Sequence, residues 1–344
     1  MKAILGSGLA VSTTGCMSRL GGSSEENQYL AVNPRLQGES PPSLYSFLSL
    51  ESIEPGETSE YVTILGDGEA RAQPGVLQPA FLSPIVWKNL LSQVNSGPSI
   101  FSLTLPDGLG RDYSDEVTES STDIITQNDF GFILKGSYDT SELRGAVLSD
   151  DFEALEGTYN DDFTGYQGRE SEIAMTDELI VAAGSTNGNV GERSPATQSL
   201  ISVCTESAEE EITGFSEMSS TIESITRGTT VAGVIKCDRE GIAPIESEVD
   251  RVQGGWGTDS VAESSFNSII NIGNEIGDIK SVGSAVQELE EDKIGMSVAM
   301  TFGENTSPTK SDIDRVLPNG SDTGDFELSV MENSNQLLIE AVST

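Results

Sequence analysis

Ser307-Pro308-Thr309-Lys310 places a serine hydroxyl three residues ahead of a lysine amine. In that spacing a neutral lysine can activate a serine nucleophile, provided both project from the start of one helix. Enzymes with this pairing also carry Ser-Asp-Asn and Lys-Thr-Gly, and neither tripeptide occurs in the chain. Ser307 therefore reads as a helix cap, with Pro308 in the first turn. Close acids are the second source of chemistry: Asp150-Asp151, Asp161-Asp162, Asp112 with Asp115 and Glu116, and Asp322 with Asp325. Such pairs can hydrolyse glycosides or bind calcium. None belongs to a loop with alternating oxygen ligands, a central glycine and a terminal glutamate. Among 56 carboxylates close pairs are inevitable, and a solvated surface is the simpler reading. The chain has no histidine. That removes Ser-His and Cys-His machinery, His-ligated zinc and the usual general base near neutral pH. The sequence assigns no catalytic, cofactor-binding or metal-ligating residue.

The charge balance bounds the environment instead. Against 56 Asp and Glu stand 18 Lys and Arg, for a formal net charge of −38 over 344 residues. The acids are dispersed and the basic residues are mostly Arg, 11 against 7 Lys. At low ionic strength such a chain repels itself, whereas in molar salt the Debye length falls to about 3 Å. This is the composition of a protein that works in concentrated salt. It argues against nucleic acid, which needs clustered cations. At 36% hydrophobic residues, spread over many short runs, the chain still holds enough apolar surface for a folded core.

Cysteine supplies the remaining chemistry. Lys2 precedes an apolar run from Ala3 to Val11, then Ser12-Thr13-Thr14-Gly15-Cys16. A basic start, a short apolar stretch and small residues before a cleavage point make a secretory signal. Gly15-Cys16 resembles a lipobox, in which the cysteine becomes the lipidated first residue of the mature protein. The position three before Cys16 is Thr13, where leucine is usual in that family. Ser18, Gly21, Gly22, Ser23, Ser24, Glu25 and Glu26 follow as a polar tether. Two other readings stay open. One is an unstructured N-terminus. The other is a dinucleotide loop at Gly6-Ser7-Gly8, which lacks its third glycine because Val11 stands there. No other segment approaches the roughly 20 apolar residues of a membrane span.

Cys204 is expected on a helix with Leu200, Ile201 and Val203, and Cys237 at the end of a strand from Thr230. In an exported protein this pair reads as a disulfide. Closing the loop would contribute about 4 kcal/mol in the chain-entropy model. The alternative is two buried thiols.

The elements that must position these groups fall into regions. Residues 1–16 form the lipoprotein signal and 17–38 the tether. Residues 39–122 are β-rich, with strands at Leu44–Leu50, Tyr61–Leu65 and Ile100–Leu105 and one helix after Ser83. Its buried stripe would be Val86, Trp87, Leu90, Leu91 and Val94. Residues 123–240 and 241–344 each read as an α+β unit, and the two follow one scheme. In the first, Phe130, Phe132 and Leu134 alternate as a strand. Asp139 then caps a helix with Glu142 three residues on, and Leu143, Ala146 and Val147 form its inner face. Strands at Phe152–Tyr159 and Leu179–Ala183 follow, the last after a turn at Thr176-Asp177-Glu178. In the second, Ile294, Met296, Val298, Met300 and Phe302 alternate, and Ser307 caps a helix whose inner face is Ile313, Val316 and Leu317. Leu337–Val342 then closes a hairpin after Asn333-Ser334-Asn335. The expected fold is α+β, antiparallel sheets with helices on one face, ferredoxin-like in style.

Gly136-Ser137-Tyr138-Asp139 after a strand, then Gly157-Thr158-Tyr159 and Gly165-Tyr166, resembles a set of uncharacterised haloarchaeal lipoproteins with a lipobox and short tether. The likeness implies surface anchoring and no known activity. The expectation is a non-enzymatic cell-surface lipoprotein, held to the membrane through Cys16, with a binding or envelope-structural role and possible protein partners. No cofactor is expected. The second hypothesis is an extracytoplasmic hydrolase using carboxylates, which requires two buried acids side by side. A solute-binding protein is the weakest, because alternating βαβ patterns are missing.

Overall fold

The computed structural model describes residues 44–50, 97–105, 120–128, 131–159, 162–169, 171–184, 196–198, 200–201, 221, 224–225, 231–237, 272–289, 293–316 and 326–343. The strands in chain order are β1 (Leu44–Ser49), β2 (Ser121–Asn128), β3 (Gly131–Ser137), β4 (Glu153–Tyr159), β5 (Phe163–Gln167), β6 (Ser171–Met175), β7 (Leu179–Gly184), β8 (Val231–Lys236), β9 (Ile279–Leu289), β10 (Lys293–Phe302), β11 (Phe326–Asn333) and β12 (Gln336–Ser343). Among the described residues α1 (Ser99–Thr104), α2 (Thr140–Ser149) and α3 (Lys310–Val316) are helices, and residues 196–198, 200–201, 221, 224–225 and 272–276 are also helical. All twelve strands belong to one sheet, in the order β4-β5-β6-β7-β3-β2-β1-β8-β9-β10-β12-β11. Every strand pair is antiparallel. The protein is α+β, as its patterning indicates.

The two halves share a connectivity. In the first, β1, β2 and β3 form a meander, α2 leaves β3, and β7 returns to pair with β3. In the second, β8, β9 and β10 form a meander, α3 follows β10, and β12 returns to pair with β10. The first strands of the halves, β1 and β8, pair with each other and centre on Ser46 opposite Gly233. An antiparallel pair has a local two-fold axis normal to the sheet, so the halves are related by an approximate two-fold at this seam. β1, from the 39–122 region, thus lies inside the same sheet as both later units.

Alternation sets which residues meet each face. On one face Leu48, Ile125, Leu134, Ile180, Ile173 and Tyr166 join α1 and α2 in a single buried cluster. Leu143 and Val147 of α2 are 0% exposed in that cluster, and Ala146 packs against it. On the other face Ile133, Phe163, Ala174 and Val181 meet Leu200 and Ile201, which are helical, as are residues 196–198. The sheet of this half is therefore covered on both sides. β10 shows the same: besides Met296, Val298, Met300 and Phe302, its Ala299 and Thr301 are buried.

Local signals fare unevenly. Asp139 caps α2, accepting from Ser141 N at 2.9 Å and Glu142 N at 3.2 Å. Its own N–H goes to Ser120 Oγ at 2.9 Å, so this is the cap without the reciprocal glutamate bond. The turn before β7 forms through Thr176, whose Oγ1 accepts from Leu179 N at 3.0 Å. The β11–β12 hairpin turns at Ser334, φ 51°, with Asn333 opposite Gln336.

Two expectations are corrected. Residues 100–105 are not a strand, because α1 spans Ser99–Thr104. Pro98 sets its first turn, Phe101 N donates to Pro98 O at 3.0 Å, and Asp150 Oδ2 accepts from Ser99 N at 2.6 Å. Ile100, Phe101 and Thr104 then share its buried side, and that burial overrides the strand-like alternation. Ser307 is not the cap of α3. It is exposed, and the helix starts at Lys310. Thr309 is the cap: its Oγ1 accepts from Asp312 N at 3.3 Å while Asp312 Oδ2 accepts from Thr309 N at 3.0 Å. The reciprocal pair satisfies more donors than a cap at Ser307 could. The expected helix after Ser83, the strand at 61–65 and Leu317 lie outside the described residues, and nothing is described of the Ile313 and Val316 side chains.

Candidate functional site

Among the described residues of the first half, a group of hydrogen-bonding side chains lies where β2 begins and β3 ends. The register of these strands shifts between Thr122 and Ile124, leaving Asp123 as the extra residue of a bulge. The shift turns Thr122 to the same face as Tyr138, which is 5% exposed. Thr122 Oγ1 donates to Thr104 Oγ1 at 2.9 Å, and Thr104 Oγ1 donates to Phe101 O at 3.2 Å. Since the one proton of Thr122 is committed, Tyr138 Oη donates to Thr122 Oγ1 across 3.1 Å. The chain of donors runs from Tyr138 to the α1 backbone.

Electrostatics fix the protonation of this group. Burial is the main reason that the Tyr138 phenol titrates well above its ordinary value, and the charge of Asp123 adds to it against the Thr122 bond. The Asp123 carboxyl is also raised, by burial, with Lys135 opposing. A phenol held neutral is a donor and not a base, and threonine hydroxyls without a base are not nucleophiles. The geometry positions α1 against the sheet and offers no reacting atom.

The acids weighed above are placed as follows. Asp150, Asp151 and Asp162 are exposed. Asp150 is engaged with the start of α1. Asp112, Asp115, Glu116, Asp161, Asp322 and Asp325 lie outside the described residues. No group of three or more Cys, Asp or Glu able to hold a metal occurs among the described residues. Among the described residues one carboxylate is fully buried: Glu172 of β6, 0% exposed, sits opposite Gln167 of β5, 7% exposed. Asp123, a half-buried acid, lies on β2, and two strands separate β2 from β6. Three strand spacings put them about 14 Å apart, beyond the roughly 5–9.5 Å of a glycosidase pair.

Ser307 and Lys310 do not share a helix turn. Ser307 precedes Thr309, and the Lys310 N–H donates to Glu332 Oε1 at 2.5 Å. Cys16, the expected lipidation site, and Cys204 lie outside the described residues. Cys237 is half-buried just past β8, and its N–H donates to Lys280 O at 2.9 Å. Among the described residues the structure thus brings no two of these candidate site residues into one constellation. Sequence reasoning missed the Thr104–Thr122–Tyr138 chain, because its members come from three separated segments. It also missed Glu172, whose only signal was a carboxylate inside the short apolar run Ser171–Met175.

A second polar cluster crosses the other half. Ser281, Thr301 and Gln336 lie opposite one another on β9, β10 and β12. Thr221 Oγ1, on the helical segment above, is 2.7 Å from both Ser281 Oγ and Thr301 Oγ1. Gln336 Nε2 donates to Thr301 Oγ1 at 3.0 Å. These neutral, mutually bonded groups anchor a helix to the sheet.

No protein-family model matches the chain, and no curated protein does. Among solved structures, three crystal forms of TP0453 are similar. Form I has a TM-score of 0.40 at 11% identity, covering 92% of this chain and 92% of that one. Form III has 0.39 at 13%, covering 90% and 94%. Form IV has 0.39 at 12%, covering 92% and 96%.

Proposed function

We propose that the protein is a salt-adapted cell-surface module, anchored to the membrane through a lipid on Cys16, that binds partners or builds the envelope and is not an enzyme. The observation that supports this best is the distribution of carboxylates. Asp139, Glu142, Asp151, Glu153, Asp177 and Glu178 are solvated along one half, and the buried Glu172 lies opposite the amide residue Gln167 in the strand register. That arrangement hydrates a surface in brine, and among the described residues it brings no two buried acids together as the alternative, a carboxylate-dependent hydrolase, requires. The Thr13-Thr14-Gly15-Cys16 segment and the polar stretch after it support the anchor. The test is the intact mass of the protein extracted from native membranes. A chain beginning at Cys16 with a lipid-sized increment supports the reading, and an unmodified chain beginning at Met1 in the soluble fraction overturns the anchor.

A further inference from the structure

The two halves match in their main-chain hydrogen bonds. Just past β1 the Leu50 N–H donates to Asp123 O at 2.7 Å, and just past β8 the Cys237 N–H donates to Lys280 O at 2.9 Å. The Gly136 N–H of β3 donates to Glu178 O, just before β7, at 3.0 Å. The Phe302 N–H of β10 donates to Asn335 O, just before β12, at 2.8 Å. Lys280 is the extra residue of a bulge in β9, as Asp123 is in β2. These features align β1 with β8, β2 with β9, β3 with β10 and β7 with β12. β6, paired with β7, therefore corresponds to β11, paired with β12. Met175 opposes Ile180 and Glu332 opposes Leu337, each two residues past the matched carbonyls, so Met175 corresponds to Glu332. In the first half the outer edge of β6 carries β5, antiparallel, from Gln167 opposite Glu172 to Thr164 opposite Met175. In the second half the sheet ends at β11 among the described residues.

Asn335 O accepts from β10, so odd-numbered residues of β12 turn their backbone groups to β10 and even-numbered ones turn to β11. Glu327, Ser329, Met331 and Asn333, which oppose those even-numbered residues, exchange bonds with β12. Leu328, Val330 and Glu332 then turn their N–H and C=O groups away from the sheet. β11 holds its register with β12 from Phe326 to Asn333, with no bulge, proline or lysine to blunt the edge. β4, at the opposite edge, loses register with β5 between Ala154 and Thr158. The Glu332 carboxylate is engaged by the Lys310 N–H of α3, and Met331 is 45% exposed. β11 is thus a regular open edge at a position that a strand covers in the other half.

We infer that β11 pairs antiparallel with β11 of a second copy, about a two-fold axis at Ser329. The chain already joins two equivalent strands in this way, β1 with β8 at the seam. Pairing of identical edges is isologous and closes at a dimer. Centred on Ser329, residues 326–332 of the copies overlap and the outward-turned residues oppose one another, as the ladder requires. Leu328 then opposes Val330, Glu327 opposes Met331, and no carboxylate opposes another. This inference is independent of the surface-anchored reading.

It is tested by sedimentation equilibrium in molar KCl on the full chain carrying Cys16→Ser, so that no lipid drives association. A mass of two chains is expected, falling toward one as KCl is lowered and two net charges of −38 repel. Val330→Pro removes an outward N–H and spares the bonds to β12, so it should give a folded single chain. Cysteine pairs locate the axis whether or not that variant folds. Two copies of Ser329→Cys meet at a non-hydrogen-bonded pair with Cα atoms about 4.5 Å apart, within disulfide range. Met331→Cys places its cysteines about 13 Å apart along the strands. Mild oxidation should therefore link Ser329→Cys chains above the parent and leave Met331→Cys chains at the parent level. A single-chain mass in molar KCl overturns the inference. So does equal linking of the two cysteine variants, or a dimer that persists in folded Val330→Pro.

Discussion

The Tyr138 hydroxyl lies 3.1 Å from Thr122 Oγ1, and through Thr104 it is linked to the backbone of α1. One side chain just beyond β3 thus ties together a bulged strand start and a helix that precedes β2 by about 16 residues of chain, from Thr104 to Ser121. Tyr138→Phe keeps the ring in its cluster and removes only the donor. The expected loss is about 1 kcal/mol, the usual net worth of one buried hydrogen bond. Thermal unfolding in molar KCl measures it. A variant as stable as wild type would mean that the ring alone holds the junction.

Two glycines near α2 should respond in opposite directions to alanine. Gly136 faces Ser121 O so closely that a Cβ would overlap the carbonyl. The clash is with backbone, which cannot swing aside as a side chain can, so Gly136→Ala disrupts the β2–β3 pairing. A loss of about 1–3 kcal/mol is expected from overpacking. Gly145 lies within α2, is exposed, and has nothing within 4 Å of the position a Cβ would take. Gly145→Ala should stabilise by about 0.5–1 kcal/mol through helix propensity. Denaturant titration of both variants checks the signs, and a loss in Gly145→Ala would argue against helix at that position.

The carboxylates at helix starts and at the bulge titrate with opposite signs. Hydrogen bonds from Ser141 and Glu142 hold Asp139 below its ordinary value of 3.8, and bonds from Thr309 do the same for Asp312. Their contribution is present above that ordinary value and fades as pH falls through the lowered one. Asp139→Ala should therefore unfold at a lower temperature than wild type at pH 7, with the gap closing below about pH 4. Asp123 is raised by burial, so its ionised form is disfavoured in the folded chain. Asp123→Asn should be more stable than wild type at pH 7, with the advantage shrinking as acid protonates the native carboxyl. A pH series of melting curves for both variants resolves the two trends. Parallel curves would remove the assigned causes.

What the sequence makes legible is local. β10 could be read because five apolar residues alternate without interruption, and α2 because an acidic cap precedes Leu143, Ala146 and Val147 in helical spacing. α1 could not, because Ile100, Phe101 and Thr104 take a helical face only once Pro98 and Asp150 fix its first turn. β5 and β6 are five residues each, too short for a period of two to stand out. The seam is invisible to any window, since Ser46 and Gly233 are neighbours only through pairing across most of the chain. The candidate site is hidden for the same reason. Its hydroxyls are common residues that acquire meaning only when a one-residue bulge rotates Thr122 toward Tyr138.

The strongest global prediction concerns salt. A net charge of −38 on one folded chain concentrates repulsion that the expanded chain relieves, so folding is opposed wherever the charges see one another. At 0.1 M KCl the Debye length is about 10 Å, longer than the spacing between adjacent strands, so charges on neighbouring strands see one another; at 1 M it is about 3 Å. Tm should therefore climb steeply between these concentrations. Above 1 M screening has little left to do, and any further rise must come from stronger apolar burial. Sulfate should then outperform chloride at equal ionic strength, because it is excluded from protein surface more strongly. The buried hydroxyl chains add no salt dependence, as their members are neutral. Tyr138→Phe should consequently lower the whole Tm-against-KCl curve by a constant amount, whereas Asp123→Asn should gain most at low salt, where the lost charge matters. A flat wild-type curve from 0.1 to 1 M would contradict the reading of this surface as built for brine.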